Sequence, residues 1–397
     1  MVYGNDFTGG DDYGRYGGAG SQIPKTELDH IAQPPAAYAS TPGAMGLEAE
    51  GATPRSKWDP RGWGWKTKLA VAAAVVVAII VIVVGSVEGV KANRYPNYSR
   101  LNYSLKDTYS GTGFFDQFNY FSGYDPAGGF VHYVDQPGSQ YLNLSYASED
   151  SAVIKVDTSN VDASTGRRSV RITSKNTYNS GLFIFDILHS PYGCGTWPAL
   201  WLADPDNWPT NGEIDVVEAN NAAKTGNQMT LHTKNGCKMN VKRKETGKVL
   251  ATNCWNGTNS NEGCGVQAKP ATYGEALNNN GGGVYATELR DAGIRIWFFP
   301  RSSIPSDISD ANSTPDPSTW GTPLADFPGT DCDISSHFRN QSIIANIDLC
   351  GQLGGLEKFY NQQSGCPGTC TNYVANNPTA FANAYWEFKS FKVYQAS

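Results

Sequence analysis

The segment Trp208-Pro-Thr-Asn-Gly-Glu213-Ile-Asp215-Val-Val-Glu218 places three carboxylates within six residues that are otherwise Ile and Val. Side chains alternate faces along a strand, so Glu213 and Asp215 point the same way. Glu218 stands at an odd offset from Glu213, and a regular strand would turn it onto the face of Ile214 and Val216. A charge buried among apolar side chains is costly. One extra residue, a β-bulge around Val216–Val217, returns all three acids to one face. Two carboxyls so placed suit retaining glycoside cleavage, with one as nucleophile and the other as acid/base, roughly 5–5.5 Å apart. Asp215 between them can hydrogen-bond the nucleophile and help separate the two pKa values. A calcium site would draw on loop carbonyls, and the sequence indicates no metal and no cofactor here.

Aromatic residues lead into this motif. Cys194-Gly-Thr-Trp197-Pro-Ala-Leu-Trp201-Leu precedes it, and Trp208 lies five residues before Glu213. Trp197, Trp201 and Trp208 are candidate platforms for a sugar chain, Trp197 reading more as a packing residue. His232, in Met229-Thr-Leu-His-Thr, falls on the next expected strand, as a contact to the site or as a hydrogen-bonded structural histidine.

The elements that must position these groups read as β. Ser169–Lys175, Gly181–Leu188, Thr196–Ala203, Glu213–Glu218, Gln228–Thr233, Gly283–Leu289, Ile294–Phe299, Ile343–Leu349 and Tyr385–Tyr394 are expected strands. Arg290-Asp291-Ala292-Gly293 is an expected hairpin turn. With 43 Gly and 22 Pro marking frequent turns, the reading is all-β, two packed antiparallel sheets in a sandwich or jelly roll.

The rest of the chain is organised differently. Leu69–Val87 holds no charge over 19 residues, and as a helix it covers roughly 28 Å, about one hydrocarbon core. Five basic residues (Arg55, Lys57, Arg61, Lys66, Lys68) precede it, and Lys91 and Arg94 follow. The positive-inside rule therefore places the N-terminus in the cytoplasm, a type II signal anchor. All eight cysteines lie between Cys194 and Cys370, which suggests disulfides in an oxidising compartment. Eight cysteines allow 105 pairings, and the sequence selects none. Six glycosylation sequons, at Asn97, Asn102, Asn143, Asn256, Asn312 and Asn340, all follow the apolar run. The expected organisation is a disordered cytoplasmic tail (1–64), a membrane helix (65–88), a linker (89–110) and a catalytic domain (111–397). A net charge of −6 excludes the basic surface that nucleic acid requires.

Gly-Thr-Trp-Pro-Ala-Leu-Trp-Leu followed by Asn-Gly-Glu-Ile-Asp-Val-Val-Glu resembles glycoside hydrolase family 16, in its fungal laminarinase-like branch. The resemblance runs from Phe114-Phe-Asp-Gln-Phe to Ala384-Tyr-Trp-Glu-Phe-Lys-Ser-Phe-Lys-Val-Tyr. It implies a β-jelly roll with an open cleft on its concave sheet, and retaining endo-cleavage of β-1,3- or mixed β-1,3/1,4-glucan. Position for position it implies Glu213 as nucleophile, Asp215 as the assisting aspartate, Glu218 as acid/base, and Trp201 and Trp208 as cleft residues. A membrane-anchored member is expected to act on the cell's own wall glucan, at the plasma membrane or in the secretory pathway. Transglycosylation with the same acids is the alternative. A non-catalytic glucan-binding protein fits less well, because binding alone needs no acid pair.

Overall fold

The computed structural model describes residues 58–222, 224–310 and 313–397. Most of the expected tail and the sequon at Asn312 lie outside the described residues. Residues 71–397 form one compact unit, and the strands predicted from alternation are present in it to within three residues at each end. Two eight-stranded antiparallel sheets dominate the described residues, with a small three-stranded sheet beside them.

The sheet that carries the acids runs in the order Lys248–Val249, Cys264–Gln267, Gln228–His232, Glu213–Glu218, Thr196–Ala203, Gln341–Leu349, Arg171–Tyr178 and Phe118–Tyr120. Behind it lies the second sheet, whose central partners are Gly283–Arg290, Gly181–His189 and Tyr385–Ala396. Inward-facing side chains of both sheets share one core, including Ile214, Val216, Val217, Leu200, Leu202 and Ile347 from the first and Phe183, Phe185, Phe388 and Phe391 from the second. Each such side chain contributes about 1.5–3 kcal/mol by leaving water, and the opposite face of the first sheet is left for polar groups. The expected hairpin turn is present, with Arg290 paired to Gly293 across Asp291-Ala292.

The apolar run lies within a helix spanning Trp65–Asn93. Its side chains face outward, with Val81 and Ile82 at 65% and 66% exposure. The segment after it, read from sequence as a linker to residue 110, is docked. Tyr103–Ser110 pairs along the final strand from Ala396 to Ser390. Upstream of it, Tyr95 and Tyr98 donate hydrogen bonds to Asp326 at 3.0 and 3.1 Å, and at its first residue Tyr103 donates to Glu288 at 2.9 Å. The Arg290 guanidinium bonds the Ser99 carbonyl, and Thr330 Oγ1 bonds the Arg94 carbonyl. Arg295 lies over the Tyr98 ring at 4.0 Å. Gly293 permits this approach, since a Cβ there would meet the Tyr98 hydroxyl at 2.0 Å.

The eight cysteines form four disulfides, Cys194–Cys366, Cys237–Cys332, Cys254–Cys264 and Cys350–Cys370. Among the sequons, Asn97, Asn102, Asn143 and Asn340 are exposed and Asn256 is half-buried. The side-chain nitrogen of Asn340 donates to Asp204 at 3.0 Å.

Candidate active site

The bulge sits where the cost of burying Glu218 requires it. Leu200 pairs with Val217 and Trp201 with Asp215, leaving Val216 as the extra residue. Val216 and Val217 both enter the core, while Glu213, Asp215 and Glu218 share the outer face. A bulge frees backbone groups that need partners. Asn227, fully buried just before the neighbouring strand, supplies both. Its Nδ2 donates to the Val216 carbonyl at 2.8 Å, and its Oδ1 accepts from the Glu218 amide at 2.9 Å. The side chain thus stands in for the missing rungs of the ladder and fixes the direction of Glu218.

Each acid has its own surroundings. Glu213 is half-buried and accepts a hydrogen bond from the indole nitrogen of Trp208. Trp208 is 41% exposed, so part of its ring is open while its indole nitrogen holds the carboxylate. Glu218 accepts from the Trp197 indole at 2.8 Å. Trp197, read from sequence more as packing, lies against the acid itself. Burial raises the Glu218 pKa, and the nearby Glu213 charge adds to that, while the Trp197 hydrogen bond and the charge of His232 pull it back in part.

Asp215 is buried, and its carboxyl is pushed well above the usual carboxylate range by burial first and then by the charges of Glu213 and Glu218. Its Oδ2 lies 3.4 Å from Nε2 of His232. Burial alone would lower the His232 pKa. The close contact with Asp215 and the field of the three carboxylates outweigh it and raise the value to about 9. His232 is therefore part of the acid cluster. Both shifts run the same way, toward retaining protons in this pocket. Oxygens of Glu213 and Asp215 and a His232 nitrogen lie within 4.8 Å of one another. Trp208 holds Glu213, and His232 faces Asp215, so these groups read as an acid–base cluster. A cation there would have to displace those contacts.

A floor extends away from the acids across the sheet. Glu218, Ala199, Asn346 and Arg171 stand in one cross-strand row. Trp201 donates its indole hydrogen to Asn346 at 2.9 Å, and Asn346 donates to the Tyr133 hydroxyl at 3.1 Å. The Arg171 guanidinium lies 5.1 Å from the rings of both Trp201 and Phe121, a spacing that fits a cation–π contact. Trp201 is thereby fixed edge-on into the sheet. Asn346 and Arg171 were not among the residues expected from sequence. The available signal was Asn346 and Asp348, polar at alternate positions of an otherwise apolar strand.

A two-sheet β-sandwich bearing a bulged strand of three acids with flanking indoles defines a family 16 glycoside hydrolase domain, and comparison with known proteins agrees. The XgeA-like catalytic domain of glycoside hydrolase family 16 matches residues 118–394, and the chain belongs to that family. A probable glycosidase of Schizosaccharomyces pombe is 47% identical over 307 residues, covering 76% of this chain and 72% of that protein. An endo-1,3(4)-beta-glucanase of Arthroderma benhamiae is 42% identical over 302 residues, covering 74% of this chain and 65% of its own length. Among solved structures, Laminarinase 16A of Phanerochaete chrysosporium, holding β-glucans in donor and acceptor sites, is 44% identical with a TM-score of 0.72, covering 74% of this chain and all of that one. An elongating family 16 β-1,3-glucosyltransferase is 39% identical with a TM-score of 0.69, again covering 74% of this chain and all of that one.

Proposed function

We propose that this chain is a retaining endo-glycosidase of β-1,3- or mixed β-1,3/1,4-glucan, acting at a membrane surface on cell-wall glucan. The observation that carries the reading is the bulge at Val216, which sets Glu213 and Glu218 on one face in different surroundings. In the first step the Glu213 carboxylate attacks the anomeric carbon. The glycosidic bond breaks, and the leaving oxygen takes a proton from Glu218. In the second step Glu218, now ionised, removes a proton from water, whose oxygen attacks the anomeric carbon and releases Glu213. Asp215 and His232 hold the pocket's remaining charge and orient the nucleophile.

The outward-facing apolar helix supports the anchor, because among the described residues side chains such as Ile82 find no partner that would take them from water. The basic residues before it and the sequons and disulfides after it support a cytoplasmic N-terminus and an external or lumenal catalytic domain. Exposure of Asn97, Asn102 and Asn143 suits glycan attachment. Transglycosylation to a glucan hydroxyl is a second reading, favoured by the likeness to the elongating glucosyltransferase. It differs only in what Glu218 deprotonates in the second step.

The roles are tested by azide rescue. Glu213→Ala, given an activated β-fluoride donor and azide, should yield an α-glycosyl azide, since azide replaces the nucleophile. Glu218→Ala, given an aryl glycoside with an acidic phenol, should still form the covalent intermediate and yield a β-glycosyl azide. Reversed anomers would exchange the two roles, and full activity of either variant on glucan would refute the mechanism. Products longer than the substrate would select transglycosylation.

A further inference from the structure

The side of His232 away from Asp215 is held by a loop with an unusual backbone. Between Trp255 and Gly263 the chain leaves the sheet and returns within a ten-residue span closed by Cys254–Cys264. Three successive non-glycine residues in it, Asn259, Ser260 and Asn261, have positive φ of 47°, 56° and 66°. L-residues visit this region singly, Asn more readily than most, and rarely in a run. Asn261 Oδ1 lies 3.0 Å from His232 Nδ1. The loop presses close at its end as well, for a Cβ on Gly263 would stand 2.7 Å from His232 Cε1 and from the Leu231 carbonyl. Backbone strain of this kind collects at functional sites when the surrounding structure enforces it.

An amide oxygen can only accept, so the Asn261 contact requires the proton to be on Nδ1 of His232. Nε2 then faces Asp215 with two consistent arrangements, an imidazolium beside a carboxylate or a neutral ring beside a carboxylic acid. In both, the Asp215–His232 pair carries no net charge. Without the acceptor, the neutral ring is free to carry its only proton on Nε2, leaving Asp215 as a further uncompensated carboxylate next to Glu213 and Glu218. The titratable groups facing the ring are those three acids from the central strand. From the loop comes Glu262, whose carboxylate is taken up by the Asn259 side chain at 2.7 Å.

We propose that Asn261 is a positioning residue of this site: the left-handed run 259–261 delivers its amide oxygen to Nδ1 of His232, which sets the tautomer of the ring and keeps Nε2 on Asp215. This rests on the reading of Glu213 and Glu218 as the catalytic pair, and it extends that reading to a loop outside the sheet.

The test uses the full-length chain in detergent micelles, with ¹⁵N-labelled histidine and the His232 signals assigned by comparison with His232→Gln. Asn261→Gly removes the acceptor while suiting the positive φ, so the fold should persist, with a modest loss of melting temperature from the unpaired Nδ1. Its kcat on a laminarin oligosaccharide should fall about tenfold to a hundredfold, the order of one hydrogen bond to a charged group, with KM little changed. Its His232 titration should move down from about 9. Asn261→Asp retains an acceptor and adds charge. It should recover much of the lost kcat and move the His232 midpoint above that of the unmodified protein. Wild-type kcat and an unmoved His232 titration in Asn261→Gly would overturn the proposal, as would an unmoved midpoint in Asn261→Asp. The histidine titration does not depend on turnover. A failure of the Glu213–Glu218 assignment would therefore show in the azide products while leaving this result intact.

Discussion

Replacing Asn227 by Leu keeps the branched shape of the side chain and removes both of its hydrogen bonds. The Glu218 amide and the Val216 carbonyl, each buried and bonded to Asn227, lose their partners together. A buried backbone group left unpaired costs about 1–3 kcal/mol, so the pair should cost about 2–6 kcal/mol. For a domain of this size each kcal/mol lowers the melting temperature by roughly 2 °C, giving a fall of roughly 4–12 °C measured by circular dichroism. Asn227→Asp keeps the acceptor for the Glu218 amide but sets a second acceptor against the Val216 carbonyl and buries a carboxyl, so its fall should be at least as large as that of the Leu variant. Activity should follow the direction of Glu218. The Leu variant should lose more on laminarin, where the leaving group needs a proton, than on an aryl glycoside with an acidic phenol. A melting temperature and a substrate ratio both equal to wild type in Asn227→Leu would refute the reasoning. The bulge would then be held by the packing of Val216 and Val217 alone.

The remaining predictions concern Glu218 and Trp208. Burial raises the Glu218 pKa, and glycosylation needs its protonated form. The kcat/KM for glucan should therefore hold below that raised value and fall as pH rises through it, on a limb above the ordinary glutamate value of about 4.3. That limb should vanish in Glu218→Gln assayed with an activated fluoride donor, and a limb that persists would assign it to another group. Trp208→Phe keeps a ring for stacking and loses the N–H on Glu213, so kcat should fall with KM little changed. Trp208→Ala should in addition weaken glucan binding by about 1–3 kcal/mol, of the order of burying an aromatic face. Equal kinetics for Trp208→Phe and wild type would remove the hydrogen bond from the account, and an unfolded Trp208→Ala would make the residue core.

The acids were legible in the sequence because a strand has a period of two and a buried carboxylate is expensive. Those two facts require the bulge that the register shows between Leu200 and Trp201. The residues that make the bulge work were not legible. Asn227 and Asn261 precede or leave strands in Asn-rich loops, where nothing local distinguishes a buried amide from a solvated one. Trp197 read as packing because its contact with Glu218 crosses from one strand to its neighbour through that same bulge. The strand Tyr103–Ser110 has mostly exposed or half-exposed side chains, with only Tyr103 and Tyr109 buried. It lacks the apolar alternation that marks a strand, and its sequence reads as a linker. The disulfides needed the fold itself, since spacing alone cannot choose among so many pairings.

The docked segment from Arg94 to Tyr103 has a consequence for reach. The helix ends at Asn93, and the next residue already bonds the domain through Thr330. A flexible tether of twenty residues would let a domain sample distances of roughly 25 Å around its anchor. Here the slack is essentially nil. With the helix in a membrane as we propose, the cleft patrols no volume. It stays within about one domain diameter of the bilayer and meets glucan only where strands of the wall pass that layer. On that proposal the enzyme would edit only the innermost wall, in a zone whose thickness is set by its own dimensions.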